Sequence, residues 1–415
     1  MSFEAPAGKN SPQGLVRALT LTHAVLYGLG VTIGAGIYVL VGIAAGRSGM
    51  HAPLAFVGAA MVMAFSAASF AELGTRMPVS ASEAAYAQEA FKRKWLSLGV
   101  GLLVVVTAII SAATISVGSA GYIGVFFPSF PEQSIISCVV LAMGAVACLA
   151  TVHSVTFAGV MTLIEIGGLI LIIIAGMGAG SAVVTRLPEM LPAIGEMSKW
   201  IGLSGTTLIA VFAFIGFEHL VNIAEELKDP RRTLPHALFL TLGITALVYA
   251  LVVWISVVAV PPEELAKSPA PLALVFERLT GMPLFTMSAI AIVATLNGVI
   301  VHMIMIARVV YGLADQGNLP QALAKLNRVT GTPLVATALG VGAILVFSLA
   351  VPIAGLADLT AQFTLVIFII INLALIRIKS REKVPPPDVF VCPRWVPVAG
   401  LISSVILLAL DFVVR

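Results

Sequence analysis

Eleven apolar runs, most about 20 residues long and separated by short polar breaks, leave this chain little choice of environment. A helix of about 20 apolar residues crosses ~30 Å of hydrocarbon with its backbone hydrogen bonds satisfied internally. The runs cover 19–44, 53–74, 95–126, 133–152, 155–180, 203–225, 236–260, 284–312, 333–352, 356–377 and 396–413. Hydrophobic residues make up 59% of the 415 and charged residues only 10%, against roughly 25% charged in soluble domains. An ordinary globular enzyme is excluded, and the expected fold is an all-α integral membrane protein. The net charge of +3 gives no case for nucleic acid, because the basic residues form short clusters between apolar runs.

Cys138, Cys148 and Cys392 are too few and too scattered for a disulfide framework or a metal cluster. Cys138 and Cys148 read as small apolar residues of one membrane helix. Residues 1–18 lack the apolar core of a signal peptide and read as a cytosolic tail.

Loop charges set the orientation. With the N-terminus inside, the inner loops and ends hold 17 of the Lys and Arg residues and the outer ones six. The inner set includes Arg76, Lys92, Arg93, Lys94, Lys228, Arg231, Arg232, Lys325 and Lys379. The outer set is Arg47, Arg186, Lys199, Lys267, Arg278 and Arg415. Two longer outer loops, 181–202 and 261–283, carry several prolines, and Asp315–Pro333 is expected to hold a short surface helix. Pro385-Pro386-Pro387 is a stiff inner connector.

Two runs contain signs of interruption. The segment Phe212–Pro235, FAFIGFEHLVNIAEELKDPRRTLP, begins as a membrane helix and stalls at Ile215-Gly216, with the carboxylate of Glu218 immediately after. Near the other end of the chain, GLGVTIGAGI places Gly34-Ala35-Gly36 inside an apolar run. A broken helix at bilayer depth is tolerated only where the freed backbone lines a cavity or binds something. Paired breaks about 180 residues apart fit two inverted repeats of five helices, 19–180 and 203–377. The helix 396–413 lies outside that symmetry. The arrangement points to a transporter with its site between the repeats.

Minimal side chains at Gly34, Ala35 and Gly36 let backbone N–H groups, at the positive end of the following half-helix, receive a carboxylate. Glycine-mediated packing through Gly30 and Gly34, or Gly42 and Gly46, is the alternative. The span-six carbonyls around Phe212, Ala213, Phe214 and Ile215 suit an ammonium group, with an aromatic ring, Phe212 foremost, covering the ligand. Glu165 stands alone inside span five and is a candidate to bind and release a proton. Glu218 competes for that role or serves as an inner gate. Glu225 and Glu226 are expected to cap and to pair with Lys228 and Arg231. His23, His219 and His302 read as structural, Asn297 and Asn372 as polar links between helices, and Asp411 as reaching the interface. No His/Glu metal motif and no Ser/His nucleophile pair appears in the spans, so no catalytic residue, metal or cofactor is expected.

Three blocks in order carry a family resemblance: GLGVTIGAGIYV, FAFIGFE…AEELKDPRRTLPHA, and ARVVYGLADQGNLPQALAKLNRVTGTP. Together they resemble the amino acid–polyamine–organocation transporters over spans one to ten. The resemblance implies two inverted five-helix repeats and alternating access. It implies a substrate α-carboxylate on the backbone of Ile33, Gly34, Ala35, Gly36 and Ile37, and an α-amino group at the carbonyls of Phe212 to Ile215. Many sodium-independent members of that family carry a lysine where this chain has Glu165, and the family usually has twelve spans. The expectation is an amino acid permease of the inner (plasma) membrane, N-terminus cytoplasmic and coupled to protons, with the lipid bilayer and an amino acid as partners. An amino acid or polyamine exchanger is the alternative, and a non-transporting membrane receptor the reading from another class.

Overall fold

The computed structural model describes residues 19–415, leaving out 34–35, 79–81, 150–154, 179, 181, 194, 316, 328–329, 383, 385 and 415. The expected tail 1–18, Gly34, Ala35, Arg328, Pro385 and Arg415 therefore lie outside the described residues. The described chain is almost wholly helical. In order it forms α1 (Leu21–Ile33), α2 (Gly36–Ser48), α3 (Ala52–Arg76), α4 (Ser82–Phe91), α5 (Lys94–Gly124), α6 (Glu132–Leu149), α7 (Val155–Gly178) and α8 (Ala182–Thr185). Then come α9 (Met197–Phe214), a 3-10 segment (Phe217–Glu226), α10 (Pro230–Ala259), α11 (Pro262–Lys267), α12 (Pro271–Thr280), α13 (Leu284–Asp315), α14 (Leu334–Ala350), α15 (Ile353–Arg381) and α16 (Trp395–Val414).

The described residues of every apolar run read from the sequence fall almost wholly on this helical framework. Span one is two helices of 13 residues each, α1 and α2. At 1.5 Å per residue each is about 20 Å long, too short to cross alone. Span six is likewise α9 followed by the ten-residue 3-10 segment. The 261–283 loop is more ordered than its prolines suggested: Pro262 and Pro271 stand at the first positions of α11 and α12, where a missing N–H costs nothing. The expected surface helix in Asp315–Pro333 is a single 3-10 turn, Gln321–Ala324.

Apolar side chains on the outward faces stay exposed, among them Met61, Leu141, Leu163, Ile174, Leu247 and Leu339. A continuous exposed apolar belt suits lipid rather than water. Polar residues are drawn inward and paired with one another. Asn372 of α15 accepts from Ser69 Oγ at 2.6 Å and donates to Ser66 Oγ at 3.0 Å, joining α15 to α3.

Asp411 does not reach the interface. It is 5% exposed and accepts a bond from Gln362 Nε2 at 2.6 Å, because that face of α16 packs on α15. Arg231 pairs with Asp388 at 3.5 Å, a residue of the connector before α16.

Two ion clusters tie distant helices together. On the face holding α11 and α12, Arg47 of α2 forms a two-point pair with Asp358 of α15, at 3.1 and 3.0 Å. On the opposite face, which holds α4, the wholly buried Glu72 accepts from Arg76 at 2.6 Å, from Lys379, and from the Cys392 backbone N–H at 2.9 Å. Arg76 also binds Glu382 at 2.6 Å.

Candidate functional site

The two interrupted spans cross at their breaks. α9 ends at Phe214, Ile215 is extended, and Gly216 takes φ +128°, a conformation open to glycine. A Cβ on Gly216 would lie 2.8 Å from the carbonyl carbon and oxygen of Val31, so the span-six break rests on the last turn of α1. The reciprocal contact is as close. A Cβ on Gly36, the first residue of α2, would lie 2.7 Å from Ala213 Cα at the end of α9. Glycine is needed at both positions because backbone meets backbone there.

Helix ends leave carbonyls without intrahelical partners. Here one side chain serves both ends. Tyr249 of α10 directs its hydroxyl to Thr32 O at 2.8 Å and Ala213 O at 3.0 Å, bridging the end of α1 to the end of α9. Its ring packs on Phe214 at 5.2 Å and edge-on to Phe56 at 6.0 Å. Nothing in the apolar run 236–260 set Tyr249 apart, although a tyrosine hydroxyl at that depth requires a partner. Tyr249→Phe is expected to leave both carbonyls unsatisfied, at a cost of about 1–3 kcal/mol. The measurable result is a lower unfolding midpoint in detergent and weakened substrate binding.

The start of α2 is held from the side by a second string of tyrosines. Tyr38 donates to the Glu165 carbonyl at 2.6 Å, and Tyr122 of α5 donates to the Tyr38 carbonyl at 2.6 Å. The first of these bonds fixes α7, and Glu165 with it, beside the first turn of α2. Glu165 is wholly buried. Asn297 of α13 donates to its Oε1 at 2.9 Å, and Oε2 has no partner among the described residues. Thr32 Oγ1, at the end of α1, is also buried and unpartnered among them.

The expected site residues are thus gathered at one level of the bundle. Ile33, Gly36, Ile37, Phe212, Ala213 and Phe214 are all buried around the crossing, and Ile215 is partly buried. Gly34 and Ala35, the centre of the span-one motif, lie outside the described residues. The phenylalanines differ in their surroundings. Phe214 is packed on Tyr249, and Phe217 lies edge-on to Phe70 and Phe368 at 6.3 and 5.8 Å. Both are core residues here.

Glu218, the second residue of the 3-10 segment, accepts the Gly216 N–H at 2.8 Å, which closes the break on its far side. His302 of α13 has both ring nitrogens engaged: Nδ1 donates to the Gly298 carbonyl at 2.8 Å and Nε2 meets Ser111 Oγ at 3.0 Å. Below the crossing the two spans stay joined. Leu19 N–H donates to Glu226 O and Lys228 N–H to Leu19 O, both at 3.0 Å.

A helical bundle built round two crossed, interrupted helices, with freed backbone and a buried carboxyl at the crossing, has the architecture of a membrane transporter. The family model for amino acid permeases matches residues 19–415. An uncharacterized transporter of Mycobacterium tuberculosis is 30% identical over 407 residues, covering 96% of this chain and 87% of the relative. The branched-chain amino acid permease BcaP of Bacillus subtilis is 28% identical over 419 residues, covering 95% and 88%. Human cationic amino acid transporter 4 is 26% identical over 401 residues, covering 90% and 61%. The chain belongs to the amino acid permease family, and it is a transporter, not an enzyme.

Proposed function

We propose that this protein carries amino acids across the cytoplasmic membrane by alternating access, driven by protons. The substrate α-carboxylate sits on the backbone of Ile33–Ile37, at the positive start of α2. The α-amino group meets the carbonyls of Phe212–Ile215, and the Phe212 ring covers the ligand. The halves 19–180 and 203–377 act as inverted repeats that rock against each other about the crossing, with helix 396–413 outside that motion. The α4 face is cytosolic, as the distribution of Lys and Arg requires.

One observation carries the proton reading. The Glu165 carboxyl is wholly buried and, among the described residues, has a single partner in Asn297 and keeps one oxygen unpaired. Burying an unpaired carboxylate oxygen costs several kcal/mol, and a bound proton removes that cost. Tyr38 of α2 donates to the Glu165 backbone carbonyl, which holds this stretch of α7, and the carboxyl it carries, beside the helix that receives the substrate carboxylate.

The test uses Glu165→Gln and Glu218→Gln in proteoliposomes. Glu165→Gln is expected to lose at least tenfold in accumulation driven by a pH gradient while keeping amino acid exchange. Full accumulation by both variants would rule the proton mechanism out.

A further inference from the structure

Beside the span-six break lies a cavity of about 30 Å³, enough for a water molecule. Glu218 and His219 line it from the 3-10 segment, His302 from α13, and Glu83 from α4. These four ionisable groups are 6–9% exposed. Thr107 and Ser111 of α5 and Thr364 of α15 complete the polar lining. The Thr364 hydroxyl is buried and has no partner among the described residues, so it is free to bind a water in the cavity. Glu83 differs from the rest in its position. It stands on a helix between two spans, and that same helix carries exposed Glu89, paired at 2.6 Å with Lys92 just past the helix end. Arg377 of α15 donates to the Ala90 carbonyl at 3.0 Å, at the other end of α4.

We propose that Glu83 is the proton acceptor of the cytosolic half of this transporter, connected to Glu218 through a water held in this cavity by Thr364. The inference rests on the proton-coupled reading above. The Glu218 carboxyl gives its proton to the water, and the water gives one of its own to the Glu83 carboxylate. Glu218 is left as the carboxylate and Glu83 as the neutral acid, which then releases the proton to the cytosol along α4. Burial pushes the Glu83 carboxyl up to about 7, and the Glu218 charge acts in the same direction. A carboxyl so placed both takes and returns a proton near neutral pH.

The experiment compares wild type with Glu83→Gln in proteoliposomes, using a panel of radiolabelled L-amino acids in two modes. With an imposed pH gradient, Glu83→Gln is expected to accumulate at least tenfold less than wild type. In exchange against preloaded amino acid, which needs no proton release, it is expected to stay within twofold. Accumulation equal to wild type would overturn the proposal, and so would equal loss of both modes, which would mark Glu83 as structural. A wild type indifferent to the pH gradient would instead refute proton coupling itself. Should Glu83→Gln fail to reach the membrane, Thr364→Val decides. It is expected to lose several-fold in driven accumulation with exchange intact, and unchanged accumulation would overturn the relay.

Discussion

Gly216→Ala is expected to abolish transport. The residue adopts φ +128°, where any side chain costs on the order of 1–3 kcal/mol. The added methyl would also stand 2.8 Å from the backbone of Val31, which no rotamer can relieve. Either α1 moves away or the span-six break closes up, and both destroy the crossing that positions the substrate backbone groups. Uptake per milligram of reconstituted protein is expected to fall about a hundredfold, consistent with a loss of a few kcal/mol. Gly243→Ala is the matched control. It lies in α10 with nothing within 4 Å of the added methyl, and its uptake is expected to stay within twofold of wild type.

The second large effect is on stability and lies far from the crossing. Glu72→Ala removes the carboxylate shared by Arg76 and Lys379, whose side chains are only 6% and 9% exposed. Breaking a buried ion pair from one side costs about 3–5 kcal/mol, because the remaining charges keep their desolvation penalty without their partner. For a chain of 415 residues that corresponds to a fall of roughly 5 °C in the unfolding midpoint in detergent. The loop before α16 is expected to loosen as well, since Glu72 also holds the Cys392 N–H and Lys379 holds the Cys392 carbonyl at 2.6 Å. Limited proteolysis between residues 383 and 394 reads that change directly.

What could be read from the sequence follows a physical division. The break at Ile215-Gly216 was legible because glycine beside a carboxylate is conspicuous in an apolar run. Glu165 was legible for the same reason, as an isolated charge at bilayer depth. The groups that hold the crossing together were not. Tyr249, Tyr38 and Tyr122 count as apolar in any periodicity, and their partners are carbonyls exposed only because two helices end where they meet.

Long-range pairing was equally hidden. Glu72 and Lys379 stand 307 residues apart, and Lys379 looked like one more loop charge. Arg231 drew attention to neighbouring acids, whereas its partner Asp388 comes from a connector 157 residues away. Asp411 misled because closeness to a helix end says nothing of which face packs inward. Glu83 escaped notice because a short polar stretch between two spans reads as loop. Only the packing of α4 against α5 and α15 buries it beside Glu218.

The most direct test is uptake of a panel of radiolabelled L-amino acids by wild-type proteoliposomes, with and without an imposed pH gradient. Proton-driven transport at the crossing predicts accumulation of one or more amino acids above equilibrium, collapsing when the gradient is dissipated by an ionophore. Uptake that ignores the gradient and requires only amino acid preloaded inside would contradict it, leaving an exchanger in which Glu165 is a structural carboxyl.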